Sequence, residues 1–261
     1  MKRIRGYNNI YQIWPEDSKS KSVLYKYMNI ERAIQFLQNG EYYFVEPIAW
    51  QDPYEKRFYT ADYSNIQPYV PQRIFATCLT DRVSNEAAWK MYRDDRGGLG
   101  SRCIRLEINR AKLFHQLDKV KNGKFVFGKA NYKYTSKTID TIHIKESPQY
   151  NYYFSDFSEE KFLELLLIKR KAFEYENEVR LFFIPDESNS ISYEDYELAC
   201  FCNYVIKFDE SFLKEMIISV SIDPSCSNLE VELLKAKIEK LGYTCSKNSL
   251  YKVSNRIIIE S

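Results

Sequence analysis

Residues 178–184, with the sequence EVRLFFI, form the clearest β-strand pattern in the chain. Aromatic and β-branched residues are enriched in strands, and this run ends at Pro185, a residue that central strands do not tolerate. Neighbouring side chains of a strand point to opposite faces, so Val179, Leu181 and Phe183 should enter the core. The run therefore predicts a strand with at least one buried face.

The other face of this strand should carry a row of charges. Glu178 and Arg180 share that face, and Glu176 extends the row by one step. A carboxylate beside a glycosidic bond can stabilise an oxocarbenium-like transition state, and a second carboxylate can orient or deprotonate the acceptor. The row is a candidate catalytic site, with Glu178 and Glu176 as the catalytic residues and Arg180 as a binding residue that restrains their pKa values. The alternative is a ladder of salt bridges on a solvated sheet face.

Helices and further strands extend outward from this strand. Ser158 can cap a helix that precedes it, with Lys169 to Lys171 at the helix end, and Asn29 can cap another that Gly40 ends. Helices are predicted at 30–39, 85–93, 159–171 and 229–241, and further strands at 24–28, 42–45, 73–79, 103–108, 125–127, 131–134, 204–208, 216–222 and 256–259.

This pattern predicts an α+β fold, in which a mixed or split, mostly antiparallel sheet is flanked by a few helices. Residues 1–22 show no clear period and are predicted to be a lead-in, so that residues 23–261 form a single α+β domain. A chain of 261 residues can bury a sizeable core without disulfides or metals.

Charge and cysteine usage limit the function classes. Because 38 Lys and Arg face 36 Asp and Glu, the chain lacks the charge of a general nucleic-acid binder, although basic runs at 19–26 and 169–171 keep a nucleic-acid partner open. The six cysteines lack the paired spacing of zinc sites, so we expect no metal and reduced thiols. No apolar signal core follows Met1, and the run 162–168 is too short to span a bilayer, which favours a cytoplasmic protein without a membrane partner.

Aromatic residues supply the candidates for substrate binding. Tyr25, Lys26 and Tyr27 share the first predicted strand, where two rings and an ammonium group could hold a ligand ring and a phosphate. Trp89 and Tyr92 lie three residues apart on the predicted helix 85–93 and could stack on a ligand ring. Packing in the core is the alternative for the four aromatic residues.

The segment 51–55, QDPYE, is predicted to form a turn that presents Asp52 and Glu55 to a substrate. These two carboxylates together with Glu176 and Glu178 would also suit a hard cation, so a metal-dependent nuclease is a further alternative. The motifs of phosphate-binding loops, dinucleotide folds, zinc proteases and serine hydrolases are absent from the sequence.

Taken in order, segments 24–27 (LYKY), 51–55 (QDPYE), 78–80 (CLT) with 88–92 (AWKMY), and 173–180 (FEYENEVR) resemble the bacterial domain of unknown function 2971 family. The likeness covers about residues 23 to 222. Gln51 stands where that family usually has Asn, Phe173 where it often has Trp, and Leu79-Thr80 where Phe-Ser is common.

The order of these segments is also similar to that of ADP-ribosyltransferases, which hold NAD in a split sheet. This resemblance implies that Glu178 contacts the nicotinamide ribose, that Glu176 orients the acceptor, and that Tyr25 and Lys26 hold the adenosine or phosphate side. It implies an NAD-consuming enzyme, a toxin or anti-phage defence effector, with NAD as substrate, no resident cofactor and a macromolecular acceptor that the sequence does not identify. A non-enzymatic nucleotide or nucleic-acid sensing module is the alternative.

Overall fold

The computed structural model describes residues 1–13, 22–66, 73–83, 86–93, 102–186 and 203–250. The strands are β1 Lys2–Arg3, β2 Ile10–Ile13, β3 Val23–Asn29, β4 Glu41–Val45, β5 Phe75–Thr80, β6 Cys103–Asn109, β7 Gly123–Lys129, β8 Glu178–Pro185, β9 Asn203–Lys207, β10 Ile217–Ile222 and β11 Cys245–Lys247. The helices are α1 Ile30–Asn39, α2 Pro53–Tyr59, α3 Glu86–Met91, α4 Arg110–Leu117, α5 Ser136–Thr141, α6 Tyr150–Phe154, α7 Glu159–Leu166, α8 Glu210–Met216 and α9 Asn228–Lys240.

The strands form one mixed, mostly antiparallel sheet, which confirms the predicted α+β class. Its order is β1-β2-β7-β8-β5-β3-β6-β10-β11, and β4 and β9 branch from β5. The pairs β2 with β7 and β10 with β11 are parallel, whereas the other pairs are antiparallel. The decisive strand β8 is central, since β5 and β7 pair with it on either side.

The sheet forks at β5. One edge of β5 pairs with β8 along its whole length, but the other edge is shared between β4, where Val45 lies opposite Ala76, and β3, where Tyr25 lies opposite Thr80. Between these two points the Lys26 ammonium donates to the carbonyl of Cys78 at 2.8 Å. Lys26 therefore satisfies a strand carbonyl that lies between the two branches, and an unsatisfied buried carbonyl would be costly.

Both faces of the sheet are covered. One face carries the largest core, built on β8 by Val179, Leu181 and Phe183 and closed by α1, α4, α8 and α9. The opposite face carries two smaller cores. One lies under α2, α5, α6 and α7 and includes Phe182 and Ile184, and the other lies under α3. The predicted inward side chains of β8 are confirmed, and the strand is buried on its other face too.

Several local predictions need correction. Residues 1–13 are not a lead-in, because β2 pairs with β7 and Ile10 is buried in the largest core. Residues 131–134 do not form a strand but only a single bridge from Asn131 to Ile168. The segment 51–55 begins α2, with Asp52 as its N-cap, because Pro53 suits the first turn of a helix.

Other helix predictions agree with the structure at their caps. Asn29 caps α1, Gly40 ends it with φ at 73°, and Ser158 caps α7. Helix α7 ends at Leu166, however, so residues 169–171 do not occupy its last turn. The predicted cap Ser84, the strand 256–259 and part of the basic run 19–26 lie outside the described residues. No helix in the described ranges combines the length and apolar character that a membrane crossing requires.

Candidate functional site

A sharp backbone corner brings the two candidate carboxylates together. Glu176 ends a 3-10 helix, Lys171–Glu176, and Glu178 begins β8, while Asn177 between them has a φ of 47°. Asparagine is among the few non-glycine residues that tolerate this left-handed conformation. The Thr80 hydroxyl lies 3.1 Å from the Glu176 carbonyl and 3.0 Å from the Asn177 carbonyl, and the Asn177 amide donates to Asp81. The corner is therefore tied to the end of β5.

The two carboxylates meet at the ammonium group of Lys169. Its Nζ atom lies 2.5 Å from Oε2 of both Glu176 and Glu178, and 3.4 Å from Oε1 of Glu55. Arg180 donates to Glu178 from Nε at 2.8 Å and also pairs with Glu55. These five residues form a continuous ionic cluster, in which three carboxylates face two cations.

The cluster is buried. Glu178 is 5% exposed, Glu176 8% and Arg180 0%. The Arg180 guanidinium also donates to the Leu166 carbonyl and lies 4.3 Å from the centre of the Trp50 ring. The alternative of a salt-bridge ladder on a solvated sheet face is therefore wrong, because these charges are buried. Buried charges need partners, and the cluster together with the Leu166 carbonyl supplies them.

The environment drives the pKa values of the two carboxyl groups apart. Burial alone would raise the pKa of Glu178, but Arg180 and Lys169 outweigh it and hold that pKa well below its usual range. Burial raises the pKa of Glu176, and Lys169 offsets this only in part. Burial also raises the pKa of Glu55, against the opposing effect of Arg180. Glu178 is thus a fixed anion, whereas Glu176 is the better proton acceptor of the pair.

Glu176 and Glu178 also line a cleft between α3 and the end of β5. Its wall is formed by Tyr25, Tyr27, Cys78, Leu79, Thr80, Ala88, Met91, Tyr92, Glu176 and Glu178. The Cys78 thiol donates to the Glu178 carboxylate, and burial raises the pKa of that thiol. The cavity volume is about 20 Å³, room for about one water molecule, so a sugar or an aromatic ring can enter only if the cleft widens.

The structure separates the predicted Tyr25-Lys26-Tyr27 group. Tyr25 and Tyr27 line the cleft, whereas Lys26 points to the opposite face of the sheet, where it bonds Thr77 and the Cys78 carbonyl. Lys26 therefore does not share a site with the two rings in this conformation. Its pKa is lowered by burial.

The two aromatic residues of α3 and its end also differ. Trp89 is fully buried and packs its ring edge to face against Tyr27 at 5.0 Å, so it belongs to the core beneath the cleft. Tyr92 lines the cleft and is stacked on Tyr27 with an angle of 17° between the rings. Of the two, only Tyr92 is placed to touch a ligand in the cleft.

Asp52 and Glu55 lie behind the cleft wall. Asp52 accepts from the Tyr54 amide as helix cap and pairs with Arg170 at 3.0 Å. Glu55 joins the ionic cluster through Arg180 and Lys169. Glu55 thus holds both cations of the cluster, Asp52 holds Arg170 outside it, and neither carboxylate lines the cleft.

The geometry also bears on the metal-dependent alternative. The Lys169 ammonium occupies the position between Glu55, Glu176 and Glu178 at which a shared cation would sit. Within the described ranges no group of three or more potential ligands could hold a metal ion. The donor set therefore fits an ammonium group rather than a divalent ion.

Three residues of the site were missed from the sequence. The sequence places Lys169 at the end of a predicted helix, and it places Cys78 and Tyr132 in the predicted strands 73–79 and 131–134 without a role at the site. Tyr132 accepts from the Glu178 amide at 2.8 Å and so fixes the start of β8. A signal existed only for Lys169, since the first lysine of the basic run 169–171 directly follows the apolar run 162–168 and is therefore a candidate for burial against a carboxylate.

Comparison with known proteins does not identify the chain. No protein-family model, no curated protein and no solved structure matches it. The resemblance to the domain of unknown function 2971 family and to ADP-ribosyltransferases therefore stays a prediction, and the site has to be interpreted from its own geometry.

Proposed function

We propose that this protein consumes NAD by cleaving the glycosidic bond to nicotinamide and passing the ADP-ribosyl group to water or to a macromolecular acceptor. The observation that carries the proposal is the pair Glu176 and Glu178, whose pKa values are driven apart while both line a cleft walled by tyrosines. Two carboxyl groups with different protonation behaviour are what a glycosidic cleavage uses.

The reaction divides between the two carboxylates. The C1′–N bond breaks, its electron pair leaves with nicotinamide, and the positive charge that develops on the ribose is stabilised by the anionic Glu178. The acceptor hydroxyl then forms the new bond to C1′, and Glu176 takes its proton. Lys169 and Arg180 hold the carboxylates in position, since Lys169 bonds both Glu176 and Glu178, and Arg180 bonds Glu178.

The setting of this activity is proposed on the same basis. NAD is an intracellular metabolite, and the described cysteines Cys78, Cys103, Cys226 and Cys245 are free thiols, which suits a reducing cytoplasm. Loss of NAD harms the cell in which it occurs, so the activity would suit a toxin or a defence effector. Growth and cellular NAD content on expression of the wild type and of Glu178→Gln would test this setting.

The direct test measures nicotinamide release from NAD, with and without cell lysate as a source of acceptors. We expect the wild type to release nicotinamide and Glu178→Gln to lose at least about 100-fold of the rate, as when one preorganised electrostatic group is removed from an active site. Glu178→Gln also disturbs a buried ion pair, so its melting temperature has to be measured alongside.

Glu46→Gln is the matched control. Glu46 is 2% exposed and pairs with Arg73 at 3.0 Å, but it does not line the cleft. This variant should lose stability in the same way while it keeps its activity. Equal activity in Glu178→Gln and the wild type, or equal loss in Glu46→Gln and Glu178→Gln, would contradict the proposal.

One observation favours a binding module without catalysis. The Glu178 carboxylate already has Arg180, Lys169 and Cys78 as partners, which is a complete set for a purely structural anion. This alternative predicts that NAD or another nucleotide raises the melting temperature while no nicotinamide appears. No release from the wild type under either condition, together with such a shift, would select it.

A further inference from the structure

We propose that the cleft, on widening beyond the volume of one water molecule, binds a flat organic cation, such as a pyridinium ring, and rejects a neutral ring of the same shape. The choice of a pyridinium rests on the proposed function, because the nicotinamide ring of NAD is one. The preference for a flat cation stands on the cleft itself.

The first observation is the charge of the wall. Glu176 and Glu178 line the cleft, whereas none of the lining residues that the structure describes is a lysine or an arginine. The nearby cations are already engaged: Lys169 and Arg180 bond the carboxylates, Arg105 covers the Tyr25 ring, and Lys26 bonds the Cys78 carbonyl. A ligand that enters the cleft therefore meets carboxylates first, and this favours a positive charge.

The second observation is the arrangement of the rings. Tyr27 and Tyr92 are nearly parallel, with ring centres 6.2 Å apart, so a flat group that stacks on Tyr92 is also aligned with Tyr27. Trp89 holds Tyr27 from its edge at 5.0 Å and keeps it from turning. The face of a tyrosine ring carries negative potential and attracts a cation placed over it.

Tyr25 contributes in a different way. The Arg105 guanidinium covers one face of its ring, 4.8 Å from the centre, so this ring already carries a cation. Tyr25 is only 6% exposed and lines the cleft. Because its ring face is already taken by Arg105, Tyr27 and Tyr92 supply the stacking surface for the ligand.

Three probes separate charge from shape. The first is 1-methylnicotinamide, a flat cation; the second is nicotinamide, a flat neutral ring; the third is tetramethylammonium, a cation that is not flat. By isothermal titration calorimetry with the full chain, we expect 1-methylnicotinamide to bind about tenfold or more tightly than either of the others, a ratio within the range of desolvated cation–π contacts. Equal binding of nicotinamide, equal binding of tetramethylammonium, or no binding of any probe would overturn the inference.

Variants assign the preference to the cleft. Tyr92→Phe should keep the tenfold ratio because the ring remains, Tyr92→Leu should lose it, and Tyr43→Leu, a change of an exposed tyrosine on β4, should leave it unchanged. The ratio surviving in Tyr92→Leu would overturn the inference.

Nicotinamide release from NAD, measured on the same preparations, separates the two proposals. A cation preference without release would leave this inference standing and remove the proposed function. Release without a cation preference would do the reverse.

Discussion

Arg180→Met should be among the most destabilising single changes in the chain. The side chain is fully buried, and its guanidinium bonds Glu178, Glu55 and the Leu166 carbonyl. Methionine fills a similar space but removes one of the two cations that face three carboxylates. Removing one partner of a buried pair costs about 3–5 kcal/mol, which for a chain of this size lowers the melting temperature by about 10 °C.

The assay is urea unfolding followed by tryptophan fluorescence, since Trp50 lies against Arg180. The loss should depend on charge and not on packing. Arg180→Met combined with Glu55→Met removes one charge of each sign, so the double variant should be more stable than Arg180→Met alone, with a coupling energy of about 1–3 kcal/mol. Additive losses of stability in the double variant would show that Arg180 and Glu55 are not coupled through their charges.

Acidity gives a second check on the same variant. Arg180 lowers the pKa of Glu178 and opposes the rise of the pKa of Glu55, so in Arg180→Met both folded-state pKa values should lie above the unfolded value. The folded variant then binds more protons than the unfolded chain, and its free energy of unfolding rises as the pH falls towards that value. The gap between wild type and variant should narrow between about pH 7 and pH 5. A constant gap would contradict the charge argument.

Three further predictions concern the cleft and the fork. Nicotinamide release should increase with pH along an acidic limb whose midpoint lies above the ordinary pKa of a glutamate, because burial raises the pKa of Glu176 and the group has to be ionised to accept a proton. A midpoint below that value, or a limb that persists in Glu176→Gln, would contradict this role. Asn177→Gly should keep the release rate, whereas Asn177→Val should lower the rate and reduce the free energy of unfolding by about 1–3 kcal/mol, because a β-branched residue does not fit a φ of 47°. Unfolding followed by circular dichroism and the nicotinamide assay compare the two variants. Lys26→Met should lower the free energy of unfolding in urea by about 1–3 kcal/mol, because it leaves the Cys78 carbonyl unsatisfied. A loss of nicotinamide release as large as in Glu178→Gln would show that Lys26 contacts the ligand.

The local rules of helix and strand formation predicted much of the fold. Asn29 and Ser158 mark helix starts because their side chains accept hydrogen bonds from free backbone amides, and α1 and α7 begin directly after them. Gly40 marks a helix end because it adopts a left-handed conformation, and α1 ends directly before it. Strand β8 could also be predicted, because its aromatic and β-branched residues distinguish it from the polar segments on either side. The first strands were missed because two and four residues are too short to show a period. They are held by long-range pairing, β2 with β7 and β1 with β2.

The candidate site was predicted only in part, since proximity across the fold leaves little trace in the sequence. The spacing of Glu176, Glu178 and Arg180 placed them together, although the carboxylates converge through a left-handed corner at Asn177 rather than along a straight strand. The role of Lys169 depends on the residue at which α7 ends, Leu166. The end of a helix is poorly defined by the sequence when no capping residue marks it. Lys26 was separated from its neighbours because alternation along β3 sends it to the other face.

The pairing of β5 with β8 has a consequence for how the protein is made. Thr80 lies opposite Glu178, so β5 leaves the ribosome roughly one hundred residues before the strand that completes it. At about 5–20 residues per second, this interval lasts roughly 5–20 s. During that time the nascent chain contains neither Glu176 nor Glu178, so it lacks both carboxylates on which the proposed reaction depends, and the same holds for a truncated product that stops before them.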